Sequence, residues 1–264
     1  MLEIKDVTKV FNAGTVNAKT ALNGLNLTIN EGDFVTVIGG NGAGKSTMLN
    51  AIAGVFQPDE GTITLDGKLL NGMSEHKRAK FLGRVFQDPM MGTAADMQID
   101  ENMALARRRG KFHGLGWSVT AAEREEYRAL LAELDLGLED RLTSKVGLLS
   151  GGQRQAVTLL MATLIKPKLL LLDEHTAALD PKTAAKVLEI TDRIVNENRL
   201  TTLMITHNMK DAITHGNRLI MLQDGKVIVD VEGEEKKKLT VEDLLKLFAQ
   251  ASGSEFASDR AILA

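Results

Sequence analysis

The chain has 264 residues, 44% of them apolar and 25% charged, a balance that excludes disorder throughout and fits a globular chain of one large or two small lobes. No uninterrupted apolar run exceeds four residues, as in Leu169 to Leu172, whereas a membrane-spanning helix needs ~20. Thirty-two basic against 35 acidic side chains leave a net charge of −3, so any polyanion must be held locally, and zero cysteines exclude disulfides, thiolate metal sites and a cysteine nucleophile.

Leu2 and Ile4, then Leu25, Leu27 and Ile29, alternate with polar neighbours at the period of half-buried strands, which predicts an antiparallel β layer at the start. Phe34 to Ile38 is a short, nearly all-apolar, β-branched run. It ends in Gly39-Gly40-Asn41-Gly42-Ala43-Gly44 and then Lys45-Ser46-Thr47 ahead of a helical stretch, which reads as strand, glycine loop, helix. Asp66-Gly67 and Asp224-Gly225 each separate two apolar-rich runs and predict hairpins.

From about Asp88 to Lys166 the strand signal nearly disappears. Thr120 and Glu123 form a capping box ahead of Tyr127, Leu130, Leu131, Leu134 and Leu138 at helical spacing, so an inserted helical subdomain is expected at about 88–166. Two buried-type strands follow, Leu169 to Leu172 and Thr202 to Ile205. Between them runs a helix with Asp180 as N-cap, Pro181 at its first position and Ala184, Val187, Leu188, Thr191, Ile194 and Val195 on one face. Strands alternating with helices imply a parallel sheet. Glu234 to Lys238 is a charge run leading into a short capped helix, Thr240 to Ala249, and the tail from Ser252 onward is expected to fray.

Gly39, Gly42, Gly44, Lys45 and Ser46 fit the G-x-x-x-x-G-K-[ST] pattern, in which successive backbone N–H groups curl around phosphate oxygens and the next helix presents its positive end. Lys45 adds a point charge at the β and γ phosphates, and the Ser46 hydroxyl completes a Mg²⁺ shell otherwise made of phosphate oxygens and water. Asp173 and Glu174 end a buried strand, at the edge where open α/β sheets bind ligands. Two readings of this pair are open: a helix N-cap, or a water-mediated Mg²⁺ contact by Asp173 with Glu174 as general base.

Leu149-Ser150-Gly151-Gly152-Gln153 stands in the helical region just before a helical run. A specified string of five arises by chance in such a chain with probability on the order of 10⁻⁴. With it the sequence resembles the ATP-binding-cassette ATPases, from about residue 2 to about residue 232, with every motif in the family's order. After the phosphate loop come Gln87 in Phe86-Gln87-Asp88-Pro89, the signature just quoted, Asp173-Glu174, the D-loop Ala178-Leu179-Asp180, and His207 after Ile205-Thr206.

The resemblance implies an α/β fold: a P-loop NTPase core with a parallel sheet, an antiparallel β subdomain and the inserted α-helical subdomain, all within 1–232. Residues 233–264 are left as a C-terminal helix and tail. It implies that Phe11 stacks on adenine and that residues 39 to 47 and Gln87 bind the nucleotide. Ser46, Gln87 and Asp173 then serve Mg²⁺, while Glu174, His207 and Lys45 carry catalysis. A serine and two glycines at a helix start make a second anion-binding N-terminus, although the chain already has its own phosphate loop. In the family two copies pair head to tail, so that Leu149 to Gln153 of one closes on the ATP held by the other.

Without a membrane span, a protein of this kind passes its motion to something else. The resemblance implies the ATPase subunit of a bacterial importer, peripheral on the cytoplasmic face of the membrane, docked on an integral permease around Gln87 to Thr93 and served indirectly by an extracytoplasmic receptor. The run from Phe86 to Ala94 and that from Asp173 to Asp180 are similar to an amino-acid importer group, and aromatic amino acids are the expected cargo. The alternative is a non-transport cassette ATPase acting on ribosomes or DNA. The second cassette or long coiled insertion of such proteins is missing, and no nucleic-acid partner is expected.

Several residues remain outside this scheme. His175 replaces the family's commoner proline and reads as a neutral variation. Arg107 to Lys111, beside Phe112, His113 and Trp117, reads as a solvated loop rather than a membrane contact. Asn26-Leu27-Thr28 fits a glycosylation pattern that is silent without a secretion signal, and the opening Met1 to Asp6 has no such signal. Met90, Met91, Met97 and Met103 suit a partner groove or the core equally.

Overall fold

The structure, a computed structural model, describes residues 1–111 and 119–252. The chain divides into two compact units, Met1–Arg78 with Arg199–Ala264, and Ala79–Asn198.

The first unit opens with β1 (Leu2–Phe11) and β2 (Lys19–Ile29), antiparallel, with Leu2 opposite Ile29 and Phe11 opposite Lys19. β3 (Phe34–Ile38) is buried along its whole length, as a strand covered on both faces must be. The glycine loop and α1 (Lys45–Ala53) follow, then β4 (Glu60–Leu65) and β5 (Lys68–Leu69), joined by the Asp66-Gly67 turn, with β4 antiparallel to β1. The single turn α2 (Glu75–Arg78) closes this stretch. It delivers Arg78, fully buried, whose Nη1 donates to the Ala51 and Ile52 carbonyls at 2.6 and 2.8 Å. Burial lowers the Arg78 pKa, yet the cation sits at the negative end of α1 and satisfies carbonyls that the helix leaves over.

The second unit contains β6 (Leu82–Val85), α3 (Ile99–Arg107), α4 (Ala121–Ala132), 3-10 turns at 139–141 and 146–148, α5 (Gly151–Thr163), β7 (Leu169–Asp173) and α6 (Pro181–Asn198). β6 and β7 pair in parallel, Leu82 with Leu169 through Val85 with Leu172. The unit therefore reaches beyond the helical stretch expected at 88–166 and takes in two strands and a helix as well. Local signals place its helices. Glu123 N donates to Thr120 Oγ1 at 3.2 Å, and Thr120 N returns a bond to Glu123 Oε2 at 2.8 Å. Asp180 Oδ1 accepts from Thr183 N at 3.1 Å, and hydrogen bonding from the Thr183 side chain, with that backbone bond second, holds its carboxyl below the usual carboxylate range.

The chain returns to the first unit with β8 (Thr202–Ile205), α7 (Met209–Thr214), β9 (Arg218–Gln223) and β10 (Lys226–Glu232). β3 is flanked by β8 and β9, both parallel to it, and β10 folds back antiparallel on β9 through the Asp224-Gly225 turn. Here the expectation for the C-terminal region needs correction. Glu234 to Lys238 lies within a helix, α8 (Gly233–Lys238), and α9 (Val241–Ser252) runs past the expected end at Ala249. Lys236 looks like surface charge in the sequence but is buried, its Nζ donating to the His215 and Gly216 carbonyls. Leu244 of α9 is buried in a cluster with Ile38, Met209 and Met221, so the last helix packs on the elements that carry the phosphate loop. The tail expected to fray lies, from residue 253 on, outside the described residues.

One further expectation is replaced by contacts. Arg107 pairs with Glu126, Arg108 Nη2 meets Glu123 at 3.0 Å, and Arg109 Nη2 donates to the Ala162 and Ile165 carbonyls at 3.3 and 3.1 Å. The arginines of that run are therefore packing partners of α4 and α5 rather than a solvated loop. Phe112, His113 and Trp117 lie outside the described residues. Of the four methionines, Met103 is core, whereas Met90 and Met91 are 60% and 51% exposed. Asn26, in the glycosylation pattern, has both ends of its amide engaged, with Nδ2 on Asp6 Oδ1 at 2.8 Å and Oδ1 accepting from Asp6 N at 3.0 Å.

Candidate active site

In the first unit the phosphate loop leaves the carboxyl end of β3 under tight steric terms. At Gly39 φ is +150° and a Cβ would stand 2.3 Å from the Leu222 carbonyl oxygen; at Gly44 φ is +104° and a Cβ would meet the Ala21 oxygen at 2.6 Å. Only glycine fits either position. Between them the turn is held by Ala43 N on Gly40 O at 3.1 Å and by Gly225 N on Ala43 O at 3.0 Å. α1 begins without an acidic residue in its first turn and without a side-chain cap, so its positive end is left for an anion.

Lys45 is buried, and its Nζ curls back to the Gly39 and Gly40 carbonyls at 2.6 and 3.2 Å, which holds the ammonium over the loop. Ser46 and Asn41 are exposed on the loop, and Thr47 is half-buried. Among the described residues no group of three or more His, Cys, Asp or Glu side chains forms a metal site. In this unit the donor on offer is a hard oxygen, the Ser46 hydroxyl, which fits Mg²⁺ arriving with phosphate oxygens.

β8 brings His207 to the edge where the loop emerges, because β8 runs parallel to β3 with Ile205 opposite Val37. Thr206 N donates to Val37 O at 3.1 Å, and Asn208 caps α7 by accepting from Lys210 N at 2.9 Å, which pins His207 from both sides. Gly39, Gly40, Asn41, Thr206, His207 and Phe248 line one hollow. Phe11, at the end of β1, is 36% exposed and meets Phe56 edge-to-face with ring centroids 5.3 Å apart, leaving ring surface open for stacking.

The second unit holds the remaining candidates. Asp173 ends β7 with its carboxylate 3.6 Å from Arg84 Nη2. Glu174 is buried at φ +47°, a left-handed conformation that a glutamate rarely adopts and that marks functional turns. His175, read as a neutral variation, is 1% exposed, with Nε2 3.1 Å from Thr191 Oγ1 on α6. Ala178 and Asp180 are exposed, and Leu179 packs where a Cβ on Gly151 would come within 3.2 Å of its Cδ2. The signature and the D-loop therefore touch.

Leu149 is buried, while Ser150 and Gly151 are exposed at the start of α5. Ser150 Oγ accepts from Gln153 N at 3.3 Å, and Gln153 Oε1 accepts from Ser150 N at 3.2 Å, a reciprocal cap that fixes the turn. At Gly152 a Cβ would fall 2.0 Å from Thr183 Cγ2 of α6. Gln87 is exposed just past β6. The chain on either side of it is tied to α5 by two residues that no sequence pattern singles out. Gln155 Nε2 donates to Phe86 O at 2.8 Å; Arg154 donates through Nε to Thr93 Oγ1 at 2.7 Å and through Nη2 to Met90 O at 3.2 Å. Their one signal is position, directly after the signature, because their partners lie more than sixty residues away in the chain.

The ABC transporter family profile matches residues 22–177. The tyrosine transport ATP-binding protein of Clostridioides difficile is 46% identical over 251 residues, covering 95% of this chain and all of that protein. A spermidine/putrescine import ATP-binding protein of Haemophilus ducreyi is 36% identical over 87% of this chain and 57% of its own length. Among solved structures, a dimeric post-hydrolysis state of the ATP-binding cassette MJ0796 bound to ADP and Pi superposes with a TM-score of 0.73 at 32% identity, covering 88% of this chain and 98% of that one. This chain belongs to the ABC transporter ATP-binding family, and it is an ATPase.

Proposed function

We propose that the chain is the ATP-hydrolysing subunit of a membrane importer for amino acids, with aromatic amino acids as cargo. The observation that carries this reading is the 46% identity running through the whole of a tyrosine transport ATP-binding protein. Relatives with other cargoes, among them xylose/arabinose and spermidine/putrescine import proteins, are matched at 35% and 36%. The subunit would sit on the cytoplasmic face of the membrane, against an integral permease that works with an extracytoplasmic receptor.

In this reading Phe11 stacks on adenine and residues 39 to 47 wrap the phosphates, with Lys45 offsetting the charge that gathers on the β and γ groups. Ser46, Asp173 and Gln87 are the residues that would hold Mg²⁺, which when bound would neutralise charge on the phosphate oxygens. Glu174 takes a proton from the attacking water onto its carboxylate, and His207 orients the γ-phosphate. Ser150 to Gln153 come from a second copy of the chain, so ATP is gripped by both copies, and loss of the γ-phosphate removes what held them together. The D-loop lies against the signature through Leu179, beside Gly151.

Glu174→Gln keeps the shape but removes the base, so ATP should still bind while turnover falls by about 10²-fold or more. With Mg-ATP this variant should dimerise, and with ADP it should not. Uptake of labelled tyrosine, tryptophan and phenylalanine by vesicles holding the subunit with the permease encoded beside it tests the cargo. Unchanged hydrolysis in Glu174→Gln overturns the assignment of the base, and ATP-driven uptake of only non-aromatic solutes overturns the cargo.

A further inference from the structure

The antiparallel ladder of β1 and β2 sets Lys19 directly opposite Phe11, the residue assigned above to adenine. From that position the Lys19 side chain reaches the phosphate loop: a Cβ on Gly42 would lie 3.2 Å from Lys19 Nζ. Lys19 is exposed, and among the described residues its ammonium has no hydrogen-bond or ion-pair partner. Its neighbour Lys9 is different. Lys9 Nζ is 2.7 Å from Asp59 Oδ1, and that bond is the main cause holding the Asp59 carboxyl below its ordinary range. Lys9 also lies over the Phe11 and Phe56 rings at 5.7 and 5.6 Å. One lysine of the pair is thus neutralised within the fold, while the other is held beside an anion cradle without an anion of its own.

We propose that Lys19 is a second phosphate-binding cation of the nucleotide site, taking the α-phosphate of bound ATP or ADP. The assignment to α follows from the order of groups in the ligand. Base, ribose and α-phosphate succeed one another, Lys19 stands between the Phe11 platform and Gly42, and Lys45 faces the far end of the chain of phosphates. An ammonium on a flexible stem binds phosphate as a point charge, so the contact tolerates either nucleotide and weakens with salt. The inference rests on the nucleotide-site reading above and adds a residue to it.

The test is nucleotide binding to the full chain, with Kd measured for Mg-ATP and for ADP in the parent, Lys19→Met, Lys19→Arg and Lys45→Ala. Lys19→Met should weaken ATP and ADP by the same factor, about 5- to 10-fold at low salt, and make Kd less dependent on salt. Lys19→Arg should keep most of the affinity, and neither variant should lower the melting temperature of the nucleotide-free chain. Parent-like affinity in Lys19→Met, with affinity lost in Lys45→Ala, overturns the Lys19 assignment and leaves the site standing. A loss confined to ATP overturns the choice of the α-phosphate, and a loss that accompanies a lower melting temperature overturns the binding role. A parent chain that binds neither nucleotide overturns the site itself.

Discussion

Arg154 Nε donates to Thr93 Oγ1 at 2.7 Å, across sixty-one residues of sequence. With Nη1 2.8 Å from Met90 Sδ and Nη2 3.2 Å from Met90 O, one buried guanidinium holds the segment after Gln87 against the helix that Ser150 caps. A displacement of 90–93 is therefore felt at α5 through a rigid, forked donor rather than through a flexible loop. Arg154→Leu should cost on the order of 2 kcal/mol of stability and speed amide exchange at 90–94 while leaving β3 protected. Unaltered exchange at 90–94 would count against the tether.

Met90 and Met91 stand on that tethered segment with 60% and 51% of their surface exposed. Two adjacent, mostly exposed methionine side chains form an adaptable apolar surface, suited to a permease helix. Met91→Glu should change the stability of the isolated chain by less than about 0.5 kcal/mol and leave ATP binding intact. It should abolish co-purification with the membrane partner. Normal transport by this variant, or crosslinks from 88–93 that recover only ribosomal or DNA-bound proteins, would sink the docking reading.

Where structure depends on neighbours in sequence, the fold was legible. β3, the glycine loop and α1 follow from a five-residue run with four apolar side chains and from glycines forced to positive φ, and the Thr120 and Asp180 caps appear where their side chains predict. The motif residues fall within two sets, Phe11, the loop and His207 in the first unit, and Gln87, the signature, Asp173 to Glu174 and the D-loop in the second. What stayed hidden were polar groups whose partners are distant. Arg78, Arg154, Lys236 and Asn26 look like surface residues in a linear pattern, yet each satisfies backbone or side-chain groups elsewhere in the fold. α8 was missed for the same reason: a charge run carries no apolar period, and the side chain that anchors it is Lys236. Lys19 escaped because pairing register and loop approach are properties of the folded chain.

Gly152 separates the packing demand of the signature from its chemistry. Its missing Cβ would stand 2.0 Å from Thr183 Cγ2, so Gly152→Ala must displace the Thr183 side chain or move α5 from α6. The single change should cost about 1 to 3 kcal/mol through overpacking. Thr183→Ser removes the colliding methyl but keeps a hydroxyl, and in that background Gly152→Ala should recover most of the loss. Thermal melts of the four chains decide the matter: additive effects would show that Thr183 is not the obstacle.

Tyr127 offers a pH test because it is the chain's single tyrosine. Its ring is fully buried, its hydroxyl has no hydrogen-bond partner among the described residues, and burial, reinforced by Glu123, pushes its pKa up to about 12. In the unfolded chain the phenol titrates near its ordinary value of about 10. Between these values the unfolded state gives up its proton and the folded state keeps it, so stability that is full below pH 10 falls as the pH rises towards 12. Tyr127→Phe removes both the titration and an unsatisfied hydroxyl. It should raise stability at neutral pH by up to about 1 kcal/mol and flatten the alkaline loss. The absorbance of the phenolate reads the same event directly: in the parent it should rise late, together with unfolding, and a rise centred near pH 10 with the fold intact would show that the ring is open to solvent.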